Sequence, residues 1–448
     1  MTNIIEAING FVWGTPALVL ILGVGILITA ATGCVQIRGF PKAMRSFISL
    51  FHPKKPSADG MTGLQTLCTA LGATVGTGNL VGVAGAICIG GPGSIFWMWI
   101  CAFLGMATKF AEAMLAVRYR EKTPSGFQGG PMYTIQNALK IPWLGKIYSL
   151  FGVIAAFGVG NVTQINAVIS GIDAVIGDAN FYCHLYIGIG LAFLAGTLLL
   201  GGAKRIGRTA ELLVPVASAG YILLCVVALI EKRAAVPTAF RQIIVGAFSP
   251  DAVTGGVVGS WMSALRIGCS RGIFTNEAGM GTASIAHASA QVSHPAEQGL
   301  MGIVEVFLDT VVICTMTALV ILCSGTQIPF GTDVGGALTL AAFTEMYGSW
   351  VSVALSIAIA CFAFATLLGW GFYGGCCIRF LFGGKAWKWF ALAQAAAVVF
   401  GAVMPSSQLW TAAEAVNGLM AIPNLFTLTA LLPEVRRLTI DYLKKTGP

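Results

Sequence analysis

Long apolar stretches separated by short polar connections run through the chain from residue 11 to residue 432. A helix that crosses a bilayer needs roughly 20 apolar residues. We therefore expect an all-α polytopic membrane protein, because the strands of a transmembrane β-barrel would alternate in polarity over about 10 residues. The pattern predicts about eleven spans, at 11–34, 62–89, 94–118, 147–176, 184–203, 207–230, 253–289, 300–324, 348–378, 386–404 and 408–432.

Composition strengthens this prediction. Of the 448 residues, 56% are hydrophobic and only 10% are charged, with a mean hydropathy of +0.82, whereas a soluble domain carries about 25% charged residues. The N-terminal apolar run lacks a basic start, so we expect a retained helix and not a cleaved signal peptide. The twelve cysteines lie mostly in apolar segments, which predicts buried, reduced thiols.

Basic residues are distributed unevenly between alternate loops. Twenty fall on one predicted side of the bilayer, whereas the other side has only Lys232, Arg233 and Arg241. The positive-inside rule then predicts a multi-pass protein of the cell (inner) membrane, with an outer N-terminus and a cytoplasmic C-terminus. The net charge of +8 is explained by this topology, and no nucleic-acid partner is expected.

The span at 62–89 is interrupted at residues 76–79, Gly-Thr-Gly-Asn. Backbone groups freed inside a bilayer are tolerated only where they line a cavity or meet a ligand. Carbonyls at a first half-helix ending near Thr74 suit a cation or an ammonium, and N–H groups near Gly78 suit a carboxylate. Helix packing through glycines at small-xxx-small spacing is the alternative, although Asn79 is harder to explain by packing.

The span at 253–289 carries a second interruption, predicted at residues 272–279, Gly-Ile-Phe-Thr-Asn-Glu-Ala-Gly. Glu277 lies near its middle, and an ionisable group inside a membrane is costly and usually functional. Glu277 either steadies the unwound turn, lies near an ion path, or forms a buried pair with a nearby basic residue. Asn276 either faces ligand or caps a helix, and Phe274 either walls the pocket or packs.

The two interrupted spans occupy corresponding places in two halves of the chain. Five segments separate their starts, so the halves have opposite orientations, and such pairs mark the midplane binding site of secondary transporters. The pattern predicts one transport domain over 1–448, with an outer lid or re-entrant stretch at 325–347. Its parts are an extra helix (11–34), two inverted five-helix repeats (62–230 and 253–432) and a cytoplasmic tail (433–448).

Several polar side chains fall inside other spans. Asn161 and Gln164 are three residues apart, which predicts a shared helix face with Gln164 toward the cavity; interhelical hydrogen bonding is the alternative. Thr366 and Trp370 also share a face. The Thr366 hydroxyl is a candidate cation or substrate ligand, or else it bonds a carbonyl of its own helix.

The remaining ionisable residues give a weaker signal. Glu305 and Asp309 share one face of the span at 300–324, and an interfacial position and an ion-coupling role both stay open. His287 and His294 flank the predicted inner end of 253–289, so we expect them to face solvent and not to relay protons. These residues offer no metal-ligand set.

Four runs resemble the alanine/glycine:cation symporter family of the amino acid-polyamine-organocation superfamily. They are GTGNLVGVA at 76–84, GGPGSIFWMW at 90–99, GGPMY at 129–133 and TNEAGMG at 275–281. The second run is very specific, and the resemblance covers nearly the whole chain from Trp13. Ser94 stands where Ala or Gly is usual, and another small residue changes little.

The resemblance implies a LeuT-type fold and an importer of alanine, glycine or similar small amino acids that is coupled to sodium, or in some members to protons. No cofactor is implied beyond the Na⁺ coupling ion; the partners are the amino acid, Na⁺ and the lipid bilayer. The implied substrate site comprises Thr77, Gly78, Asn79, Gln164, Ile273, Phe274, Asn276, Thr366 and Trp370. The implied cation site comprises Thr74, Gly76 and Thr366.

The sequence also bears on three other functions. A channel would need a continuous polar pore, which broken helices with few charges do not favour. An intramembrane enzyme would need a nucleophile–base or metal constellation, and the sequence has no GxSxG or HExxH run. A transporter of nucleobases or another organic cation remains open within the same fold.

Overall fold

The computed structural model describes residues 10–52, 60–123, 126–177, 180–404 and 407–446. Its α-helices are α1 (Thr15–Ala31), α2 (Val35–Arg38), α3 (Phe40–Leu50), α4 (Gly63–Thr74), α5 (Val83–Gly90), α6 (Ser94–Arg118), α7 (Pro131–Thr134), α8 (Pro142–Phe157), α9 (Thr163–Ile176), α10 (Phe181–Leu200), α11 (Gly202–Glu231), α12 (Val236–Phe248), α13 (Asp251–Thr254), α14 (Trp261–Asn276), α15 (Thr282–His287), α16 (Pro295–Val306), α17 (Thr315–Cys323), α18 (Gly336–Tyr347), α19 (Val351–Phe382), α20 (Ala386–Val403), α21 (Ser407–Leu419), α22 (Ala421–Ala430) and α23 (Leu432–Thr446). Strands β1 (Glu121–Thr123) and β2 (Gly126–Gln128) form an antiparallel hairpin.

Within the described residues, eight helices are long and apolar enough to cross a membrane. Two bent pairs raise the number to ten. One pair joins α4 to the helix at Gly78–Gly90 with a 48° bend, and the other joins Ala412–Ala430 to α23 with a 64° bend. The predicted span at 253–289 does not form one long apolar helix, because α14 and α15 are separate and short.

The first interruption falls where the sequence predicts it. Helix α4 starts at a capping box in which Thr62 and Gln65 bond each other's backbone N–H groups, an arrangement that satisfies two otherwise unpaired donors. It ends at Thr74, and Val75 takes an extended conformation. The helix resumes as a π-turn at Gly78–Gly82 that leads into α5.

Three π-turns meet around this interruption. Besides Gly78–Gly82, one lies at Gly158–Val162 between α8 and α9, and one at Phe307–Cys314 between α16 and α17. A π-turn adds a residue to the helix and changes which side chains share a face, and such turns are frequent at functional sites. The wider bundle holds them in place, because α19 packs against α8 and α9 and α6 packs against α14 and α16.

The segment predicted as a lid contains α18, which packs on the interrupted helix. The Thr339 hydroxyl donates a 2.9 Å hydrogen bond to the Leu80 carbonyl. Just before α18, the Gly331 N–H donates to the Cys88 carbonyl at 2.9 Å. Helix α18 and the loop before it therefore each supply a donor to a carbonyl of the second half-helix.

At the start of α4, a short contact ties the two interrupted helices together. Met61 pairs with Ala290 in an isolated parallel β-bridge just beyond α15. Arg120, which precedes the hairpin, donates a 2.9 Å hydrogen bond to the carbonyl of Ala288 and a further bond to that of Ala290. We call the Met61–Ala290 bridge, together with the two Arg120 hydrogen bonds, the strap.

Candidate functional site

Polar side chains bond the first break. The Thr366 hydroxyl of α19 donates a 2.9 Å hydrogen bond to the Gly72 carbonyl, one of the last in α4. The same hydroxyl lies 3.0 Å from the Phe362 carbonyl four residues back, so the predicted alternative for Thr366 is present as well. Thr74 instead bonds carbonyls of its own helix, at 3.2 Å to Ala70.

Asn79 stabilises the break from within. Its Oδ1 accepts a 2.8 Å hydrogen bond from the Gly76 N–H, and its Nδ2 donates at 2.7 Å to Oδ1 of Asp309 in the third π-turn. Asn79 is fully buried. Its amide is thus engaged with the protein on both sides, and it joins the break to the π-turn that follows α16.

Gln164 is brought to the break, whereas Asn161 is not. Gln164 Oε1 lies 3.4 Å from the Thr77 hydroxyl, which donates to it, and its Nε2 donates to the Val159 carbonyl at 3.0 Å. Asn161 donates to Gln394 on α20, which is the interhelical alternative. The predicted shared face is wrong because the π-turn at Gly158–Val162 rotates the two side chains apart.

Gly76 lies where no side chain fits. A Cβ built on it would be 2.7 Å from Oγ1 of Thr366 and 3.8 Å from Oε1 of Gln164. Contacts this short force something to move. The glycine therefore lets the backbone of the break approach two polar side chains from two other helices.

A cavity of about 190 Å³ adjoins the second half-helix. Its walls are Thr77, Gly78, Val81, Gly82, Arg271, Phe274 and Asp333. Arg271 of α14 lies 3.4 Å from Asp333, just before α18, and 3.7 Å from Glu414 of α21. The cavity thus has a neutral floor at the break and an ion-paired mouth.

Only one of the three residues predicted from the second interruption lines this cavity. Phe274 does so, and its ring also contacts that of Trp13 edge-on at 5.9 Å. Ile273 is fully buried in the core. Asn276 donates to the Thr310 hydroxyl at 3.2 Å and accepts from the Ala278 N–H at 3.0 Å, so its amide stabilises the turn.

The second break lies a few residues later than the sequence predicts. Helix α14 continues through Asn276, so residues 272–276 are helical and the unwound stretch is 277–281. Glu277 adopts a left-handed conformation with φ 54°, and Gly279 and Gly281 have φ 97° and 77°. The local pattern of apolar and polar residues places a helix end only approximately, because the capping geometry determines which residue is the last helical one.

Buried carboxylates hold the second break. Glu112 of α6 accepts hydrogen bonds from the N–H groups of Gly279 and Gly281 at 2.8 and 3.2 Å, and from the side-chain amide of Asn424 at 2.7 Å. Sequence reasoning missed Glu112. An acidic residue inside the apolar span at 94–118 was the available signal.

Glu277 has a defined structural role. It accepts a 2.5 Å hydrogen bond from the Thr282 hydroxyl and a 3.1 Å bond from the indole N–H of Trp370. Glu277 therefore steadies the unwound turn, as one of the predicted interpretations held. Trp370 faces this second break and not the cavity of the first.

A buried ionic cluster corrects the expectation for His287. Its Nε2 lies 2.8 Å from Oε2 of Glu305, whose Oε1 lies 3.3 Å from Nζ of Lys109. Gln298 Nε2 lies 2.6 Å from the other His287 nitrogen. His287, Lys109 and Glu305 are all completely buried, so His287 does not face solvent and Glu305 is not interfacial.

Comparison with known proteins shows which family and which transporters this chain is similar to. The family described as the sodium:alanine symporter family matches residues 1–447. An uncharacterized transporter of Haemophilus influenzae is 41% identical, covering 99% of this chain and 96% of its own. The sodium/alanine symporter AgcS of Methanococcus maripaludis is 40% identical over 96% of this chain and 94% of its own. Similar in sequence too is the probable sodium/glutamine symporter GlnT of Bacillus subtilis, at 36% identity over 100% of this chain and 92% of its own.

Among solved structures, MhsT in complex with L-phenylalanine is similar in fold. It superposes with a TM-score of 0.56 at 15% identity, over 86% of this chain and 99% of that one. At this identity the likeness concerns the fold alone. It agrees with the LeuT-type architecture expected from the interrupted spans.

Proposed function

The chain belongs to the sodium:alanine symporter family, a family of transporters and not of enzymes, and from this premise we propose that it imports alanine or glycine together with sodium by alternating access. The observation that carries the proposal is the first break, where helix ends, hydroxyls and an amide meet beside a cavity. Because one relative is named as a probable glutamine symporter, the size of the substrate side chain is the part of the proposal that the experiment must test.

The amino acid would bind across the first break. Its carboxylate would meet the N–H groups that begin the second half-helix at Gly78–Leu80, where the helix dipole favours negative charge. Its ammonium would meet carbonyls of the first half-helix and Oε1 of Gln164. The cavity of about 190 Å³ corresponds to roughly six water molecules at ~30 Å³ each, a space that suits a short side chain.

The cation would bind at the end of α4. Carbonyl oxygens at Thr74 and Gly76, with the hydroxyl oxygen of Thr366, form the kind of hard oxygen set that Na⁺ prefers. Thr366 already reaches the Gly72 carbonyl at 2.9 Å, so its hydroxyl is close to this helix end. One transported charge contributes about 2.3 kcal/mol per 100 mV of membrane potential.

The contribution of the second break would be mostly structural. Of the residues expected from it, Phe274 lines the cavity, whereas Ile273 and Asn276 would act by shaping the turn. Asn79 of the first break and Trp370 of α19 would likewise act through the groups they bond and not by direct contact with the substrate. The ion pairs of Arg271 with Asp333 and Glu414 would close the cavity on its outer side. The outer side is the one predicted from the distribution of basic residues between the loops. Residues 62–230 and 253–432 would form the two inverted repeats of the transport cycle.

The test is uptake of radiolabelled L-alanine by proteoliposomes containing the full chain, with and without an inward sodium gradient. Concentrative, sodium-dependent uptake is expected, with glycine competing better than glutamine. Uptake driven equally by a proton gradient alone would change the coupling ion, and no uptake of alanine or glycine under either gradient would overturn the substrate assignment.

A matched pair of glycine variants ties the uptake to the break. A Cβ at Gly78 would lie 3.0 Å from Cγ2 of Thr275 and would occupy part of the cavity. Gly78→Ala should therefore lose uptake, whereas Gly220→Ala, where an added Cβ meets nothing within 4 Å, should keep it. Equal activity of the two variants would separate the first break from transport.

A further inference from the structure

A large cavity lies away from both breaks, beside the end of α1. Its volume is about 1110 Å³ and it is open on one side. Its lining residues are Ala30, Ala31, Thr32, Gly33, Arg38, Lys42, Arg436, Ile440, Leu443 and Lys444. We call it the basic pocket, and the transport mechanism above makes no use of it.

Four of its lining residues are basic, and none is acidic. Arg38 and Lys42 come from α2 and α3, and Arg436 and Lys444 come from α23, nearly 400 residues later in the chain. The fold therefore gathers positive charge from both ends of the sequence at one place. Like charges held together in this way repel one another unless an anion lies between them.

Helix α23 carries two acidic residues, Glu434 and Asp441, and neither lines the basic pocket. Glu434 lies 3.5 Å from Nε of Arg118 and 3.6 Å from a guanidinium nitrogen of Arg437, and the Tyr119 hydroxyl donates to it. The lining of the pocket thus carries four basic side chains and no acidic one.

Apolar surface adjoins this charge. Ile37 beside Arg38 is 59% exposed, Leu27 on the adjoining helix α1 is 49% exposed, and Ile440 inside the pocket is 38% exposed. Helix α1 is apolar over its whole length and long enough to span a bilayer, so its exposed face contacts acyl chains. A ligand that fits here has an anionic head and an apolar tail.

We propose that the basic pocket binds the phosphate of an anionic glycerophospholipid, with the acyl chains lying along the exposed face of α1. Basic pockets between the ends of membrane helices bind such head groups. Free phosphate would satisfy the charge but leave the apolar rim uncovered. The bound lipid would link α23 to the first helix of the chain.

The experiment is native mass spectrometry of the full-length protein released from nanodiscs of phosphatidylglycerol mixed with phosphatidylcholine. The wild type should retain phosphatidylglycerol in preference to phosphatidylcholine. Arg38→Gln combined with Arg436→Gln should lower its retention at least fivefold. The matched control, Lys385→Gln with Lys388→Gln, removes two positive charges at the start of α20, outside the pocket, and should retain as much as the wild type.

Two further measurements on the wild type keep the proposal falsifiable if the double variant does not fold. Photoreactive phosphatidylglycerol should crosslink to peptides at 30–42 or 436–444, and an excess of inorganic phosphate should not displace it. Equal retention of both lipids, or crosslinks only elsewhere, would overturn the proposal. Displacement by inorganic phosphate would show a simple anion site in place of a lipid site.

Discussion

The two breaks differ in what holds them. The first, at residues 75–77, is supported by the Thr366 hydroxyl and by the Asn79 amide, which in turn donates to one buried carboxyl group, that of Asp309. The second, at 277–281, is supported by two buried carboxyl groups, those of Glu112 and Glu277, which bond the unwound stretch directly. A carboxyl group offers two oxygens and therefore accepts several hydrogen bonds at once.

This difference separates the roles of the breaks. Several hydrogen bonds to two buried carboxyl groups fix the second break, and of its predicted residues only Phe274 reaches the cavity. Fewer bonds hold the first break, which lies beside the cavity where the proposed amino acid and cation would compete for the same backbone groups. We expect variants at the second break to change stability with or without ligand, and variants at the first to change the response to ligand.

The largest effect is expected at Glu112. Glu112→Ala removes the acceptor for two backbone N–H groups and the Asn424 amide, and each buried donor left unpaired costs about 1–3 kcal/mol. The free energy of unfolding should fall by about 3 kcal/mol or more, seen as a lower thermal midpoint with and without alanine. Glu112→Gln, which keeps an oxygen acceptor, should recover part of the loss, and Glu231→Ala at the exposed end of α11 should cost little.

If Glu112→Ala lost the rise in midpoint that saturating alanine and sodium give the wild type, this division would be contradicted, because Glu112 would then belong to the ligand site.

The next effect is expected at Gly76. Gly76→Ala forces a Cβ to within 2.7 Å of Oγ1 of Thr366, and overpacking of this kind costs about 1–3 kcal/mol. Uptake at low alanine should fall about tenfold to a hundredfold, while the thermal midpoint without ligand should fall less than that of Glu112→Ala. Gly220→Ala is the control. A large loss of stability with normal uptake in the folded fraction would reverse the assignment of roles.

A smaller, more specific effect is expected for Thr366→Val, which keeps the shape and removes the hydroxyl. A lost ligand oxygen worth about 1 kcal/mol raises the half-saturating sodium concentration roughly fivefold, whereas the alanine dependence at saturating sodium should change less. Sodium titration of uptake measures this. Thr197→Val, which removes a similar self-bonded hydroxyl on α10, should leave the titration unchanged; an identical shift there would argue against a cation role for Thr366.

The smallest effect is expected at α18, in the segment predicted as a lid. Thr339→Val removes one neutral hydrogen bond to the Leu80 carbonyl, worth about 1 kcal/mol. Hydrogen exchange of residues 336–347 should become several times faster, with less than a threefold change in alanine half-saturation. Unchanged exchange would mean that other contacts hold α18 in place.

The sequence predicts the first break well because its cause is local. A Gly-Thr-Gly-Asn run inside an apolar span disfavours helix wherever it lies, and the observed end of α4 at Thr74 is the predicted one. The second break is predicted several residues early, because its helix end depends on a left-handed Glu277 that distant Trp370 and nearby Thr282 hold.

The partner that each polar side chain contacts is less predictable from the sequence than the position of the breaks. The π-turn at Gly158–Val162 sends Asn161 and Gln164 to different helices, and no periodicity rule for a regular helix anticipates it. His287 has polar neighbours in the chain, yet Glu305 and Gln298 bury it from another helix. The basic pocket joins residues from both ends of the chain, which only the tertiary fold brings together.

The strap gives the transport cycle a kinetic consequence. Met61 pairs with Ala290, and Arg120 donates hydrogen bonds to carbonyls on the same stretch. The two interrupted helices are therefore joined at the ends opposite the ion pairs of Arg271. Either the two helices move together as one rigid body, or the hydrogen bonds of the strap must break before the helices separate. In the second case the strap sets an activation barrier, so turnover would depend on temperature more steeply than binding does.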